Sequence, residues 1–145
     1  MKGPMIFSDM VRDRIFDDYR RIFQIPLGNS KMDDDRRTIH EEDNLDAQSS
    51  TQAFLVKAGG LPLGNHYHAK KTEIFFVIEG SVERLITASD GGTGPTEEFS
   101  LLQAGTMIVM PPGVAHTFFL SPGSKMICYA TERFNQADMV AVKLA

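Results

Sequence analysis

A short segment, residues 60–80, constrains the fold of this chain more than any other. It reads GLPLGNHYHAKKTEIFFVIEG and contains three metal-binding side chains, His66, His68 and Glu73. Side chains two residues apart on a β-strand point to the same face, so the two imidazoles can bind one cation together. A bend after His68 would bring the Glu73 carboxylate to the same ion. His116, which follows a Pro-Pro-Gly turn, is the fourth candidate ligand.

This set of side chains predicts a particular kind of metal site. Three imidazoles and one carboxylate suit Fe, Mn, Ni, Co, Zn or Cu as divalent ions. Four protein ligands on an octahedral ion leave two positions for water, oxygen or substrate, which is more typical of a catalytic site than of a closed structural one. The sequence therefore predicts one divalent transition metal ion of unassigned identity, and it assigns no catalytic residue.

Two spaced patterns in the sequence resemble the paired motifs of the cupin superfamily. The first pattern is met by Gly60, His66, His68, Glu73 and Gly80. The second is met by Gly105, Pro111, Gly113 and His116, with Leu120 where the family pattern has Asn. The resemblance implies a double-stranded β-helix, or jelly-roll barrel, with the metal inside.

Alternation of apolar residues predicts strands on both sides of these motifs. The predicted strands are residues 52–58, 73–79, 81–87, 97–102, 107–110 and 125–131. In residues 73–79 both faces are apolar, so one face meets the barrel interior and the other must be covered by a further layer. The expected class is all-β. The second apolar face predicts a homodimer, as the resemblance also implies.

The N-terminal third of the chain has a different pattern. An apolar face at Val11, Ile15, Tyr19 and Ile22 predicts a helix from Ser8 or Asp9 to about residue 23. Residues 31–46 contain seven acidic residues against three basic ones, which predicts a solvated loop with His40 at the surface. We therefore expect residues 1–48 to form a helix and an acidic loop packed on a barrel of residues 49–145.

Length, charge and cysteine content restrict the class of protein. The 145 residues suit one domain, and a net charge of −4 argues against a nucleic acid partner. The sequence contains no apolar run of membrane-spanning length and no secretory signal at its start. Cys128, the only cysteine, excludes an intrachain disulfide and is expected to be a small buried core residue. These features predict a cytoplasmic location.

The expected function is that of a metal-dependent enzyme, of dioxygenase or isomerase type, acting on a small organic or sugar-like substrate. Its pocket is expected to be lined by apolar side chains, namely Phe54, Phe75, Val77, Met107 and Phe118. The segment containing His66 and His68 is also similar to barrels of nucleotide-sugar pathways, including ketoisomerases that use paired histidines as acid and base. In that alternative these two imidazoles transfer a proton. A third alternative is a non-catalytic barrel that binds a small molecule or a sugar.

Overall fold

The computed structural model describes residues 3–7, 30–43 and 48–145. They form twelve β-strands and two short 3-10 helices, Asp90–Gly92 and Gln136–Asp138. The strands are β1 (Met5–Phe7), β2 (Ser30–Asp33), β3 (Arg37–Asp43), β4 (Ser50–Val56), β5 (Leu63–His68), β6 (Glu73–Glu79), β7 (Ser81–Ala88), β8 (Thr96–Gln103), β9 (Met107–Met110), β10 (Ala115–Leu120), β11 (Lys125–Ala130) and β12 (Met139–Ala141). The prediction of the all-β class is confirmed for these residues. The predicted helix from Ser8 or Asp9 to about residue 23 lies outside the described residues.

The strands pair into two antiparallel sheets. The seven-stranded sheet has the order β1-β9-β6-β11-β4-β3-β2, and the five-stranded sheet has the order β12-β5-β10-β7-β8. The buried apolar cluster takes side chains from both sheets, including Phe75 and Met126 from the first and Leu85 and Phe118 from the second. The two sheets therefore pack face to face, as in a jelly roll.

Strand β6 shows how the sequence pattern produces this packing. Glu73, Phe75 and Val77 are buried, whereas the alternate side chains Ile74 and Phe76 are only partly buried. Because successive side chains of a strand point to opposite faces, the first three line the interior between the sheets. Glu73 is thereby held, as a charged residue, at the start of the strand and on the same buried face as Phe75 and Val77.

The prediction of a solvated loop for residues 31–46 is wrong where the structure describes them. β2 and β3 form an antiparallel hairpin, and β3 pairs with β4 along its whole length. The charges are accommodated because the hairpin lies at the sheet edge, where ion pairs such as Lys57 with Asp33 form at the surface. His40 is also not at the surface, since only 6% of it is exposed. The division of the chain at residues 48 and 49 stays a prediction.

Among residues 3–7, 30–43 and 48–145, the structure contains no helix with the length and hydropathy that a membrane crossing requires. The predictions of a homodimer, of a cytoplasmic location and of no nucleic acid partner stay predictions.

Candidate metal centre

The four predicted ligands come from three strands and from both sheets. His66 and His68 lie on β5, and His116 lies on the neighbouring β10 directly opposite His66. Glu73 is the first residue of β6, in the other sheet. The site therefore lies in the interior between the sheets, with three imidazoles on one side and one carboxylate on the other.

The distances show that these side chains converge. The His66 ring centroid is 4.9 Å from that of His68 and 4.9 Å from that of His116. The Nε2 atoms of His68 and His116 lie 3.3 and 3.5 Å from Glu73 Oε1. One potential ligand atom from each of His66, His68 and Glu73 lies within 4.8 Å of the others. Such a cluster is compact enough to surround a single cation.

The surroundings of two imidazoles fix which ring nitrogen faces the cluster. The Nδ1 atom of His116 lies 2.9 Å from the carbonyl oxygen of Val114, so Nδ1–H donates there and Nε2 keeps its lone pair for the site. The Nδ1 atom of His68 lies 3.6 Å from Asp138 Oδ2. A carboxylate or carbonyl on the far nitrogen is the usual arrangement behind a metal-bound histidine.

A close approach between β5 and β10 sets the relative positions of His66 and His116. Gly64 has a φ of +119°, and a Cβ atom at this position would lie 2.7 Å from the carbonyl oxygen of His116. The pairing of the two strands is also irregular between His116 and Thr117. Only glycine allows the backbones to meet in this way beside the site.

The protonation states suit a cation ligand set. Burial and the neighbouring His116 imidazole lower the pKa of His66 to about 3, so this ring is neutral near neutral pH. Burial alone would raise the pKa of Glu73. The His116 and His68 imidazoles beside the carboxylate have a larger, opposite effect, so the pKa of Glu73 lies well below its usual range. The Cys128 thiol lies 3.6 Å from Glu73 Oε2, and burial together with that carboxylate raises its pKa well above the usual range. One carboxylate charge and the neutral His66 imidazole therefore face the cluster.

The unpartnered polar atoms of the site test whether a metal fits there. Among the described residues, Glu73 Oε1, His68 Nδ1 and Asp138 Oδ2 are buried without a hydrogen bond. Buried polar atoms are normally satisfied, and an unsatisfied carboxylate oxygen is particularly costly. A cation beside Glu73 Oε1 would satisfy this oxygen, and ligation of His68 through Nε2 would strengthen the contact of its Nδ1 with Asp138. The residues present therefore fit a divalent metal ion.

The cluster opens into a pocket of about 340 Å³. Its apolar lining includes Ile39, Phe54, Leu63, Phe75, Phe118 and Met126. The prediction that Phe54, Phe75 and Phe118 line the pocket is confirmed. Val77 is instead fully buried in the core, and Met107 pairs with β1 near the sheet edge. Cys128 is fully buried, as expected, and it also contacts Glu73.

Sequence reasoning missed two charged residues of the site. Asp138 lies in the C-terminal 3-10 helix, and its Oδ1 atom accepts a hydrogen bond of 2.7 Å from the Lys70 backbone N–H. Lys71 lines the pocket, with Nζ 3.8 Å from Glu73 Oε2. The sequence of residues 133–145 contains no metal-binding motif, and only the pairing of β12 with β5 places Asp138 behind His68. The assignment of His66, His68, Glu73 and His116 as metal ligands stays a prediction.

Comparisons with known proteins agree with this architecture. The family model described as Cupin matches residues 40–142. Germin-like protein 9-1 from Oryza sativa subsp. japonica is 30% identical over 122 residues, which cover 81% of this chain and 48% of that protein.

Two solved structures share the fold at low sequence identity. The capsular polysaccharide assembling protein CapF from Staphylococcus aureus superimposes with a TM-score of 0.67 at 20% identity, over 86% of this chain and 35% of CapF. The QdtA 3,4-ketoisomerase from Thermoanaerobacterium thermosaccharolyticum, solved in complex with TDP, superimposes with a TM-score of 0.55 at 18% identity, over 62% of this chain and 63% of QdtA. The chain thus spans about half of the germin-like protein and about a third of CapF.

Proposed function

The chain belongs to the cupin family, and we propose that it is a metal-dependent enzyme that acts on a small molecule. In this proposal His66, His68, Glu73 and His116 bind one divalent transition metal ion. The observation that carries the proposal is the convergence of the His68 and His116 imidazoles on Glu73 Oε1, a buried carboxylate oxygen that has no hydrogen bond among the described residues. His66 lies beside them, with a ligand atom within 4.8 Å of those of His68 and Glu73.

The protein side chains have separate roles in this proposal. When bound, the ion supplies a Lewis acid that polarises a carbonyl, hydroxyl or enolate oxygen of the substrate. Asp138 and the Val114 carbonyl orient the imidazoles of His68 and His116, so that both present Nε2 to the site. Glu73 supplies a hard oxygen and one negative charge. The phenylalanines of the pocket exclude water, which strengthens the electrostatic interactions inside it.

An isomerase type of reaction has the most support among the candidate chemistries. Polarisation of a carbonyl beside an acid or base group is the chemistry that such a site supplies. The fold is shared with a 3,4-ketoisomerase, and sharing a fold supports the proposal only by analogy. The expected substrate is a small molecule that carries a carbonyl or hydroxyl group.

A second candidate is acid–base catalysis by histidines without a metal. It is favoured by the position of His66, which lines the pocket opposite His116 and is neutral near neutral pH. In this version Glu73 has no role in the reaction, although it is the residue on which the other side chains converge. The metal-dependent reaction therefore explains more of the site.

Metal content distinguishes the two candidates. His68 and His40 are buried to the same degree, with 5% and 6% of each residue exposed, so they form a matched pair. We expect His68→Ala to lose most of the metal that copurifies with the wild-type protein, whereas His40→Ala retains it. Elemental analysis of protein purified without added metal measures the metal content of both variants.

Four outcomes would contradict the proposal in part or in full. Equal metal loss in the two variants would overturn the ligand assignment. Activity that survives exhaustive chelation would favour the histidine acid–base candidate. Iron together with oxygen consumption would replace isomerase chemistry with oxidation, and bound metal without any turnover would indicate a binding protein.

A further inference from the structure

Lys71 is a buried ammonium group with almost nothing to bind among the described residues. Only 4% of the residue is exposed, and it lines the pocket. Its nearest acidic atom is Glu73 Oε2 at 3.8 Å, which is beyond hydrogen-bond distance, and it donates no hydrogen bond to any residue that the structure describes. An ammonium has three donors, and those that the protein does not bind must be satisfied by water or by a ligand in the pocket. These donors are therefore available to a molecule that enters the pocket.

The position of Lys71 relative to the candidate ligands is specific. The two oxygens of Glu73 face different groups: Oε1 faces the Nε2 atoms of His68 and His116, whereas Oε2 faces Lys71 and Cys128. A metal ion bound at Oε1 and the ammonium would thus lie on opposite sides of one carboxylate. A pocket ligand near both would meet two positive charges.

The charges of the pocket are not balanced once an ion is present. Arg37 also lines the pocket, but its guanidinium is already paired with Asp34 at 3.0 Å. Glu73 carries one negative charge, and Asp138 adds a second behind His68. Lys71 and a divalent ion would together bring three positive charges to these two carboxylates. A histidine binds a metal ion as neutral imidazole, so histidine ligands contribute no charge. A divalent ion would leave this buried region with an excess of positive charge, which an anionic ligand compensates.

The other side chains of the pocket wall indicate the chemical character of the uncharged part of that ligand. Much of the lining is apolar, and four of its side chains are phenylalanines, Phe54, Phe75, Phe118 and Phe134. A volume of about 340 Å³ is at the small end of ligand pockets. The phenylalanine part of this wall fits an apolar or aromatic body, because these side chains offer no hydrogen-bond partner to a buried hydroxyl group.

We propose that the pocket takes a small organic anion, with its anionic oxygens bound by Lys71 and its apolar body against the phenylalanine wall. This inference deepens the proposed function, because it names the substrate class of the same pocket. It assigns to Lys71 a binding role that is separate from metal ligation.

The test compares two molecules of nearly equal shape that differ in charge. Benzoate and benzamide are titrated into the full chain, as purified and after exhaustive chelation, and binding is followed by calorimetry or by NMR. We expect benzoate to bind the protein about tenfold more tightly than benzamide, as a charge-assisted hydrogen bond predicts. Equal binding of the two compounds to the wild-type protein would overturn the proposal without the use of any variant.

Lys71 has a matched control in its exposed neighbour Lys70. We expect Lys71→Met to weaken benzoate binding about tenfold or more, with little change for benzamide, whereas Lys70→Met leaves both unchanged. Metal content and melting temperature are measured on each variant, so that a loss of metal or of folding is recognised. Benzoate binding by folded Lys71→Met that equals wild-type binding would contradict the assignment.

The failure of this inference can be told apart from the failure of the proposed function. The chelated protein is expected to keep its preference for benzoate over benzamide, because the donors of Lys71 remain, and this preference is measured even if no metal ever binds. Phenyl phosphate is tested beside benzoate. The anion that binds more tightly to the wild type and weakens more in Lys71→Met shows whether the ligand carries a phosphate or a carboxylate.

Discussion

Asp138 connects the C-terminal segment to the candidate metal centre. Its two oxygens face different groups, with Oδ1 on the Lys70 backbone N–H at 2.7 Å and Oδ2 near His68 Nδ1 at 3.6 Å. A negative charge at this position stabilises the Nδ1–H tautomer of His68 and makes Nε2 a stronger ligand. Asp138 is therefore a positioning residue, since it acts through His68.

Asp138→Asn tests this role with little change in shape. The amide oxygen keeps the bond to the Lys70 N–H, while the charge behind His68 is lost. We expect metal affinity to fall about 10- to 100-fold, as for other residues behind metal-bound histidines. Competition with a chelator measures it, and Glu132→Gln, which removes an exposed charge, is the control. Unchanged affinity in Asp138→Asn would show that this carboxylate has only a structural role.

At the residue scale, the sequence identifies the site residues that belong to spaced motifs and misses those that do not. The spacing of His66, His68, Glu73 and His116 follows a family pattern, so the sequence alone is enough to name them. Lys71 is missed because nothing in its sequence context shows that it is buried, whereas its neighbour Lys70 is exposed. Burial of a charged side chain depends on what packs around it, and sequence alone does not contain that information.

Among the elements, β5 and β10 determine the geometry of the three imidazoles. Gly64 allows them to approach, because it combines a φ of +119° with a contact that leaves no room for a Cβ atom. We expect Gly64→Ala to destabilise the protein by on the order of 1–3 kcal/mol or more and to lower metal affinity, since β5 must shift away from His116. Urea unfolding and metal titration measure the two effects.

Gly60 is the matched control for this substitution. It also has a positive φ, +74°, but a Cβ atom there would meet nothing within 4 Å. Gly60→Ala should therefore show only the cost of the backbone conformation, about 1 kcal/mol, and normal metal affinity. If both variants lost the same stability and bound metal equally, the close approach at Gly64 would not matter for the site.

The turn between β2 and β3 carries a pH-dependent contribution to stability. Asp34 accepts hydrogen bonds from the backbone N–H groups of Arg37 and Arg36, at 3.0 and 2.8 Å, and these lower its pKa from 3.8 to about 2. Because the folded pKa lies below the unfolded one, the charged form stabilises the hairpin above pH 3.8, and this contribution is lost as the pH falls through about 2.

Asp34→Asn is expected to be less stable than the wild type above pH 3.8 and to approach it as the pH falls towards 2. Unfolding by urea at a series of pH values measures the difference between the two proteins. Asp35→Asn, which removes an exposed neighbouring charge, controls for the change of net charge. A difference between wild type and Asp34→Asn that stayed constant from about pH 5 to about pH 2 would contradict the assignment.

The same hairpin shows which elements the sequence can predict. Residues 73–79 and 107–110 are mostly apolar, and the structure has strands with these bounds, β6 and β9. β2 and β3 are rich in charge, and their composition wrongly predicts a loop. An edge hairpin exposes much of its surface, so it tolerates charges that would disrupt a central strand.

For the whole molecule, the ligand positions imply that metal binding links the two sheets. Three imidazoles come from the five-stranded sheet and the carboxylate comes from the seven-stranded one. An ion bound only by the folded chain at about 100 times its dissociation constant adds about 2.7 kcal/mol to stability. We expect saturating metal to raise the melting temperature of chelated protein by about 5–10 °C. His68→Ala should show little of this shift, and an equal shift in both would mean that metal binds elsewhere.

The sequence predicts the overall topology only through its resemblance to a known family. Alternation and turns predict strands, but they do not specify that β6 pairs with β9 and β11, or β5 with β10 and β12. These pairings join residues far apart in the chain, and they bring His116 and Asp138 to His66 and His68. The resemblance to the cupin motifs spans residues 60–120, so it supplies this long-range information for His116 and not for Asp138.

The most direct test of the account is an anomalous-scattering crystal structure of the protein purified without added metal, collected at the absorption edge of the metal that elemental analysis identifies. The account predicts one strong peak between the imidazole nitrogens of His66, His68 and His116 and the carboxylate of Glu73. Well-ordered side chains at these four positions with no peak among them, or a peak bound by other residues, would contradict it.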